Sequence, residues 1–344
     1  MTGFFSRRSA SVFLAAFLAL AVLVPCAGAA EPEQGLNALV LTTPGTVNDG
    51  EAFLCTASAA GATRFTFEFR GKKVTVEAIP PMPGGGSDIW PKAEILLSIP
   101  LDSKEKSEKI VCTALGPDGV TRKTEAIVTI TPKQYPVQEL TVEPKYVAPP
   151  ASETARIERE RAASGKALGT ISPVRYWTLP LLRPVPGIVT SEYGVRRVFN
   201  NVPKAPHRGV DFRGAEGAPI LAAARGKVVL AGDYYYAGKN VIIDHGLGTL
   251  THYMHLSEMK VAEGQMVERG ELVGLVGSTG RVTGPHLHLG LTVLGSSINV
   301  LPMLEAAPEA PAHTDPGQAA PQTAPAQATS VSSSTEGQTG GAKQ

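Results

Sequence analysis

Aromatic residues make up only 6% of this 344-residue chain, tryptophan occurs twice and cysteine three times. After residue 30, no apolar run approaches the ~20 residues that a membrane-spanning helix needs. An excess of either charge is missing too, since 32 Lys and Arg face 31 Asp and Glu. The resulting net charge of +1 argues against a dedicated nucleic-acid binder, which would carry a clear basic excess. What is present is 43% hydrophobic residues, enough to bury a core and to exclude a wholly disordered chain. Glycine (36) and proline (28) are plentiful but follow no triplet period, which predicts many turns and real linkers rather than collagen. The length suits two domains.

The first thirty residues read as a segment removed before folding. Arg7 and Arg8 precede an apolar stretch at 12–25 (VFLAAFLALAVLVP), and Ala27-Gly28-Ala29-Ala30 supplies small-residue cleavage sites. This is the pattern of a secretory signal peptide. Cys26 stands in that segment behind Pro25, where a lipid-attachment motif needs Gly or Ala, so lipidation is not expected. The remaining pair, Cys55 and Cys112, reads as a disulfide in an exported chain.

Residues 31–132 read as an all-β domain. Short alternating runs recur at 38–43, 51–57, 63–70, 73–79, 94–99, 108–115 and 120–131, and Pro-Asp-Gly at 117–119 joins the last two as a hairpin. Phe65, Phe67 and Phe69 share one strand face. Seven strands with a cysteine on the second and on the sixth resemble an immunoglobulin-like sandwich, with Phe67 filling the place of the core tryptophan. Trp90, in a Pro/Gly-rich stretch, reads as a loop anchor. Residues 133–175 read as a linker holding a short helix at 152–164, capped by Ser152 and ended by Gly165; Ile157 is its one large apolar residue, which suggests a spacer. Residues 176–304 form a second β unit, with twelve basic against nine acidic residues, mildly favouring an anionic polymer. Residues 305–344, rich in Ala, Pro, Ser, Thr and Gln, read as a disordered tail in which His313 is a bystander.

Six of the seven histidines fall between His207 and His288. In 285–293 (PHLHLGLTV), strand alternation sends Leu287, Leu289, Leu291 and Val293 to the core. His286 and His288 then project together on the other face, about 7 Å apart at the backbone from the ~3.3 Å rise per residue, with Gly290 leaving room beside them. That spacing suits one imidazole holding a metal and the other acting on what the metal binds. In 249–256 (TLTHYMHL), alternation groups His252 with Leu250, Met254 and Leu256, so His252 reads as a satisfied core histidine. His255 falls on the polar face and is the better catalytic candidate. His245 reads as a turn residue. In 207–211 (HRGVD), His207 and Asp211 share a face and Gly209 allows a close approach. His207, Asp211 and His288 make a His/Asp/His set with an open fourth position. Such a set suits catalytic zinc, which lowers the pKa of water toward ~7.

These residues resemble the lysostaphin-type zinc endopeptidases of bacterial cell walls over residues 176–304. The likeness is carried by SEYGVR at 191–196, HRGVD, VIIDHG at 241–246, YMHL at 253–256 and GSTGRVTGPHLHLG at 277–290. The resemblance implies an antiparallel β core with one zinc ion on His207, Asp211 and His288, and His286 and His255 as the catalytic pair. It implies peptidoglycan cross-link peptides as substrate and a periplasmic or wall-associated location. Related non-catalytic proteins that have lost ligands activate cell-wall amidases; no key position is lost here. Cell-division or amidase partners are not legible. Two readings stay open for Tyr234-Tyr235-Tyr236, a groove wall or exposed tyrosines at a strand end. The sandwich is equally open: it could position the enzyme, bind the wall or cover the groove.

Overall fold

The structure, a computed structural model, describes residues 38–81 and 90–306. The expected signal peptide with Cys26, and the expected disordered tail from 307 with His313, lie outside the described residues. No helix among the described residues is long and apolar enough to cross a membrane.

The described residues from Leu39 to Thr131 form two facing layers. One layer orders β1 (Leu39–Thr42), β3 (Ala52–Ala59) and β6 (Lys92–Ser98). The other orders β2 (Thr46–Asn48), β8 (Thr121–Thr131), β7 (Ser107–Leu115), β4 (Arg64–Phe69) and β5 (Lys72–Glu77). The two sheets face each other as an all-β sandwich, with the short β2 running parallel to β8. Phe65, Phe67 and Phe69 all point into the core, as their period-two spacing predicts. Trp90 is half-buried and follows residues 82–89, which lie outside the described residues.

The expected disulfide is not there. Cys55 on β3 and Cys112 on β7 are both fully buried, and both are free thiols. They pack as small apolar side chains, and burial pushes both thiols up to about 12, which keeps them neutral.

The segment after the sandwich is more than a spacer. It supplies β9 (Val137–Leu140), a one-turn helix α1 (Pro144–Val147) and the longer helix α2 (Thr154–Leu168). The long helix starts two residues later than expected, runs through Gly165 and ends at Gly169. Ile157 and Ala167 are buried, so the helix does own an apolar face. Ala167 joins Leu230, Ile242 and Leu250 in a small cluster on the second domain. Glu160 accepts from the backbone N–H of Tyr235 at 2.7 Å, and Arg156 donates to the Asp233 carbonyl at 3.3 Å.

The second domain is built on one antiparallel sheet. Its main path runs β10 (Val189–Ser191), β13 (Val210–Arg213), β20 (His286–Val293), β17 (Thr249–Met259), β16 (Gly238–Asp244), β15 (Gly226–Tyr234) and β18 (Met266–Val267). Off that path, β19 (Leu272–Val276) pairs with β14 (Pro219–Leu221) and with β17, and β21 (Ser296–Ile298) pairs with β20. A separate small sheet joins β12 (Val202–Pro203) and β11 (Arg196–Phe199) to β9, the last two in parallel. Leu287, Leu289, Leu291 and Val293 are all fully buried on the core face of β20. One apolar cluster continues from the sandwich into this core. The contact is sealed by polar bonds: Ser98 donates to the Val293 carbonyl at 3.0 Å, and Asn299 N–H to the Gly50 carbonyl at 2.7 Å.

Candidate metal centre

Cross-strand register builds the site. Asp211 on β13 stands opposite His288 on β20, and Arg213 opposite His286. Because side chains alternate, Val210 and Phe212 go to the core while Asp211 and Arg213 face the site. His207 reaches the same point from the segment before β13. Its Nε2 lies 2.9 Å from Asp211 Oδ1 and 2.9 Å from His288 Nδ1, and the last two atoms are 2.8 Å apart. The three residues are buried, with ligand-capable atoms converging on one point.

The donor set fits a divalent metal such as zinc. Two imidazole nitrogens and one carboxylate oxygen form a near-equilateral triangle, the base on which a fourth ligand completes a tetrahedron. His207 Nδ1 sits 2.8 Å from the Glu192 carbonyl, so Nδ1 carries the proton and the Nε2 lone pair faces inward. Asp211 is held from behind as well: Arg197 Nη2 donates to its Oδ2 at 2.6 Å. Burial works to raise the Asp211 carboxyl, but its close contacts with His207 and His288 outweigh that and hold it well below the usual carboxylate range. His288 is pushed down to about 4, first by burial, so its neutral, metal-binding form prevails.

Gly209 explains the middle of HRGVD. A Cβ there would lie 2.4 Å from His288 Nε2 and 2.6 Å from the Leu289 carbonyl oxygen. Only a hydrogen fits between the two strands at that point.

Two more imidazoles close in. The His255 ring centroid is 4.9 Å from that of His286 and 6.0 Å from that of His288. His255 Nδ1 lies 2.9 Å from the Thr279 carbonyl, and His286 Nδ1 2.8 Å from the Gly284 carbonyl. A carbonyl only accepts, so both rings hold their proton on Nδ1 and leave Nε2 as a free base. His286 Nε2 is 3.8 Å from Asp211 Oδ1. Burial, then the neighbouring His288 and His286, drive His255 well below the ordinary histidine value.

The alternation expected along β17 is reversed. Tyr253 and Thr251 pair with Leu289 and Leu291 and lie on the core face; His252 and Met254 pair with Gly290 and His288 and lie on the metal face. His255 then adopts a left-handed φ of +66°, and the register with β16 shifts beside it. The shift brings His255 into the same cluster although it is an odd number of residues from His252. His252 is buried and satisfied as expected, but it sits on the metal face, beside the site. Asn240 gives both amide hydrogens to the Gly232 and Gly238 carbonyls, so its Oδ1 accepts from His252 Nε2 at 2.9 Å. The register sets Ile242 opposite His252, so Asn240 reaches it from two residues away. Arg197 was missed, with no signal in the sequence beyond its charge.

The remaining sequence candidates are placed as follows. His245 is fully buried in a turn, with Nδ1 on the Arg225 carbonyl at 2.8 Å and Nε2 on the Thr251 hydroxyl at 2.7 Å. Tyr235 packs its ring edge-on to Tyr146, and Tyr236 lies 4.8 Å under the Arg281 guanidinium, which also stacks on Phe199 at 5.0 Å. Beside the metal cluster an open groove of about 270 Å³ is lined by Gln138, Ser191, Arg197, Asp211, Arg213 and His286.

Comparison with known proteins agrees with this geometry. Residues 205–300 match the family described as Peptidase family M23. A crystal structure from Pseudomonas aeruginosa, assigned to peptidase M23, aligns over 72% of this chain and 90% of its own, at 30% identity and a TM-score of 0.52. Peptidoglycan DD-endopeptidase ShyA of Vibrio cholerae is 41% identical over 126 residues, which are 35% of this chain and 29% of that protein. DD-carboxypeptidase/endopeptidase Mpg of Neisseria meningitidis is 41% identical over 103 residues, 30% of this chain and 24% of that protein. The matched part thus spans under a third of these two relatives.

Proposed function

Since the chain belongs to peptidase family M23, we propose that it is an exported zinc endopeptidase that hydrolyses amide bonds in peptidoglycan peptide cross-links. One observation carries this reading. The His207, Asp211 and His288 ligand atoms converge beside two imidazoles, His255 and His286, whose Nε2 atoms make no hydrogen bond among the described residues. The relatives named as peptidoglycan endopeptidases support the substrate class.

In this reading His207, Asp211 and His288 hold the metal, which when bound polarises a carbonyl and eases deprotonation of water. Arg197 donates to Asp211 Oδ2 and holds the carboxylate in orientation. His255 and His286 move the proton: one Nε2 takes it from the attacking water as oxygen adds to the scissile carbonyl carbon. The tetrahedral oxyanion is stabilised by N–H donation from the imidazolium, the C–N bond breaks, and the proton passes to the departing amine. A free carboxylate and a free amine result. Fixed carbonyl partners on Nδ1 keep both rings in one tautomer throughout. Export to the periplasm or wall follows from the substrate and from the apolar leader.

The test uses the purified chain with zinc and isolated peptidoglycan, beside a His207→Ala control, and reads the released fragments by mass spectrometry. Metal-dependent loss of cross-linked peptide dimers, absent in the control, is the expected result. Intact dimers with the zinc-loaded protein overturn the reading, and stimulation of an added amidase in that case would identify a non-catalytic activator.

A further inference from the structure

The groove beside the metal cluster carries a cation without a partner. Arg213 is the residue after the core-facing Phe212, and strand alternation returns it to the site face, two positions beyond Asp211 and directly opposite His286. Its backbone is fixed: its N–H donates to the Ile188 carbonyl at 2.9 Å, and Gly187 leaves no room for a Cβ against its carbonyl oxygen. Its side chain is exposed, and the guanidinium has no hydrogen-bond or ion-pair partner among the described residues. Three other arginines of this region are engaged. Arg197 holds Asp211, Arg196 pairs with Asp102, and Arg281 is stacked between Phe199 and Tyr236.

Charge in the groove is one-sided. The carboxylate lining it is Asp211, whose Oδ1 is taken by His207 and His288 and whose Oδ2 is taken by Arg197. Nothing in the wall neutralises Arg213, so the groove presents a net positive field that a bound divalent ion only deepens. Two residues along a strand are about 6.6 Å. With its backbone that far from Asp211 and its side chain exposed on the groove, the planar guanidinium can meet a carboxylate on a peptide bound beside the metal cluster, through paired N–H···O bonds.

We infer that Arg213 is a specificity-determining residue that binds a free carboxylate on the substrate residue adjoining the scissile amide. The inference rests on the proposed endopeptidase reading for what sits at the metal, while the binding it predicts is measurable without turnover. Two sources share this chemistry, a side-chain carboxylate within a cross-link and the terminal carboxylate of an uncross-linked stem.

The experiment uses the full zinc-loaded chain and synthetic peptides in matched pairs, each carrying either a carboxylate or a carboxamide next to the scissile bond. One pair places the group inside a cross-linked dimer and the other at a chain end. Steady-state kinetics and calorimetric binding are run on wild type, Arg213→Ala and Arg213→Lys. The expected result is a KM and a Kd raised about tenfold or more in Arg213→Ala for the carboxylate peptide, the weight of a charge-assisted pair. kcat changes little, the carboxamide peptide is indifferent to the substitution, and Lys restores part of the loss. The pair showing the effect identifies the source. Equal losses on carboxylate and carboxamide, or none on either, overturn the inference while leaving the hydrolase reading in place. Carboxylate-dependent binding through Arg213 without any cleavage would sink the hydrolase reading and keep the inference.

Discussion

Gly209→Ala offers a sharp test of the metal site. The added Cβ would lie 2.4 Å from His288 Nε2, 2.6 Å from Cε1 and 2.6 Å from the Leu289 carbonyl oxygen. Ordinary contact begins near ~3.4 Å, so the imidazole must retreat by about 1 Å. Metal sites tolerate displacements of only about 0.2 Å. The ring cannot retreat freely, because β20 is paired with β13 on one side and β17 on the other. Overpacking of this kind costs about 1–3 kcal/mol in the metal-free protein. Disturbing a ligand's support weakens metal affinity by roughly 10–100-fold. With zinc at about 1,000 times the wild-type Kd, linkage stabilises the wild type by about 4 kcal/mol and a variant weakened about 100-fold by only about 1.4 kcal/mol. The assay is denaturant unfolding with zinc and with chelator, together with zinc content after dialysis. Gly290→Ala is the control, since its Cβ would meet nothing closer than His252 Cβ at 3.4 Å. Wild-type zinc affinity in Gly209→Ala would refute the packing argument and the place it gives His288.

Three further outcomes are expected. His286→Ala retains zinc but loses roughly 10²–10⁴-fold in turnover, as removal of a proton-transfer group should; zinc loss, read by metal analysis, would make His286 a ligand instead. A reductant leaves the unfolding midpoint unchanged because Cys55 and Cys112 are free thiols, whereas a loss of about 2–4 kcal/mol would show that they pair. Stability falls between pH 6.5 and about 4, because burial holds His245 at about 4. The unfolded chain takes up that proton below about 6.5 and the folded one does not, so His245 contributes about 3 kcal/mol that is present above this window and lost across it. His245→Gln should flatten denaturation profiles measured across that window, and an unchanged slope would count against the assignment.

Much of the site was legible because strands are simple. The side-chain period of two sorted Leu287, Leu289, Leu291 and Val293 from His286 and His288 without further information, and the structure keeps that sorting. The same rule misled at 249–256 for a physical reason. Thr251 and Tyr253 are polar at their tips yet fully buried, with the Tyr253 hydroxyl taken by the Ala223 N–H at 2.8 Å and by Thr251 at 3.1 Å. Polarity therefore pointed to the wrong face, and the left-handed turn of His255 broke the period where it mattered. Non-local pairing was the other blind spot. Val137–Leu140 carries too few residues to show a pattern, and its partner Arg196–Phe199 lies far along the chain. The helix face of Ile157 and Ala167 was hidden because two small contacts do not make a stripe.

The parallel pairing of β9 with β11 changes what a cut between the two domains would do. Gln138 lines the groove from β9, and Asn200 on the turn after β11 clasps Val142 by two hydrogen bonds, at 3.0 and 2.9 Å. A protease nick or truncation that removes this stretch strips one bank from the groove and bares the backbone amides and carbonyls of β11. A bare edge of that kind invites strand addition from other chains. Fragments starting at residue 176 should therefore be sticky as well as structurally incomplete. Poor behaviour of such a fragment would report on its missing strand, and its activity would not stand for that of the whole chain.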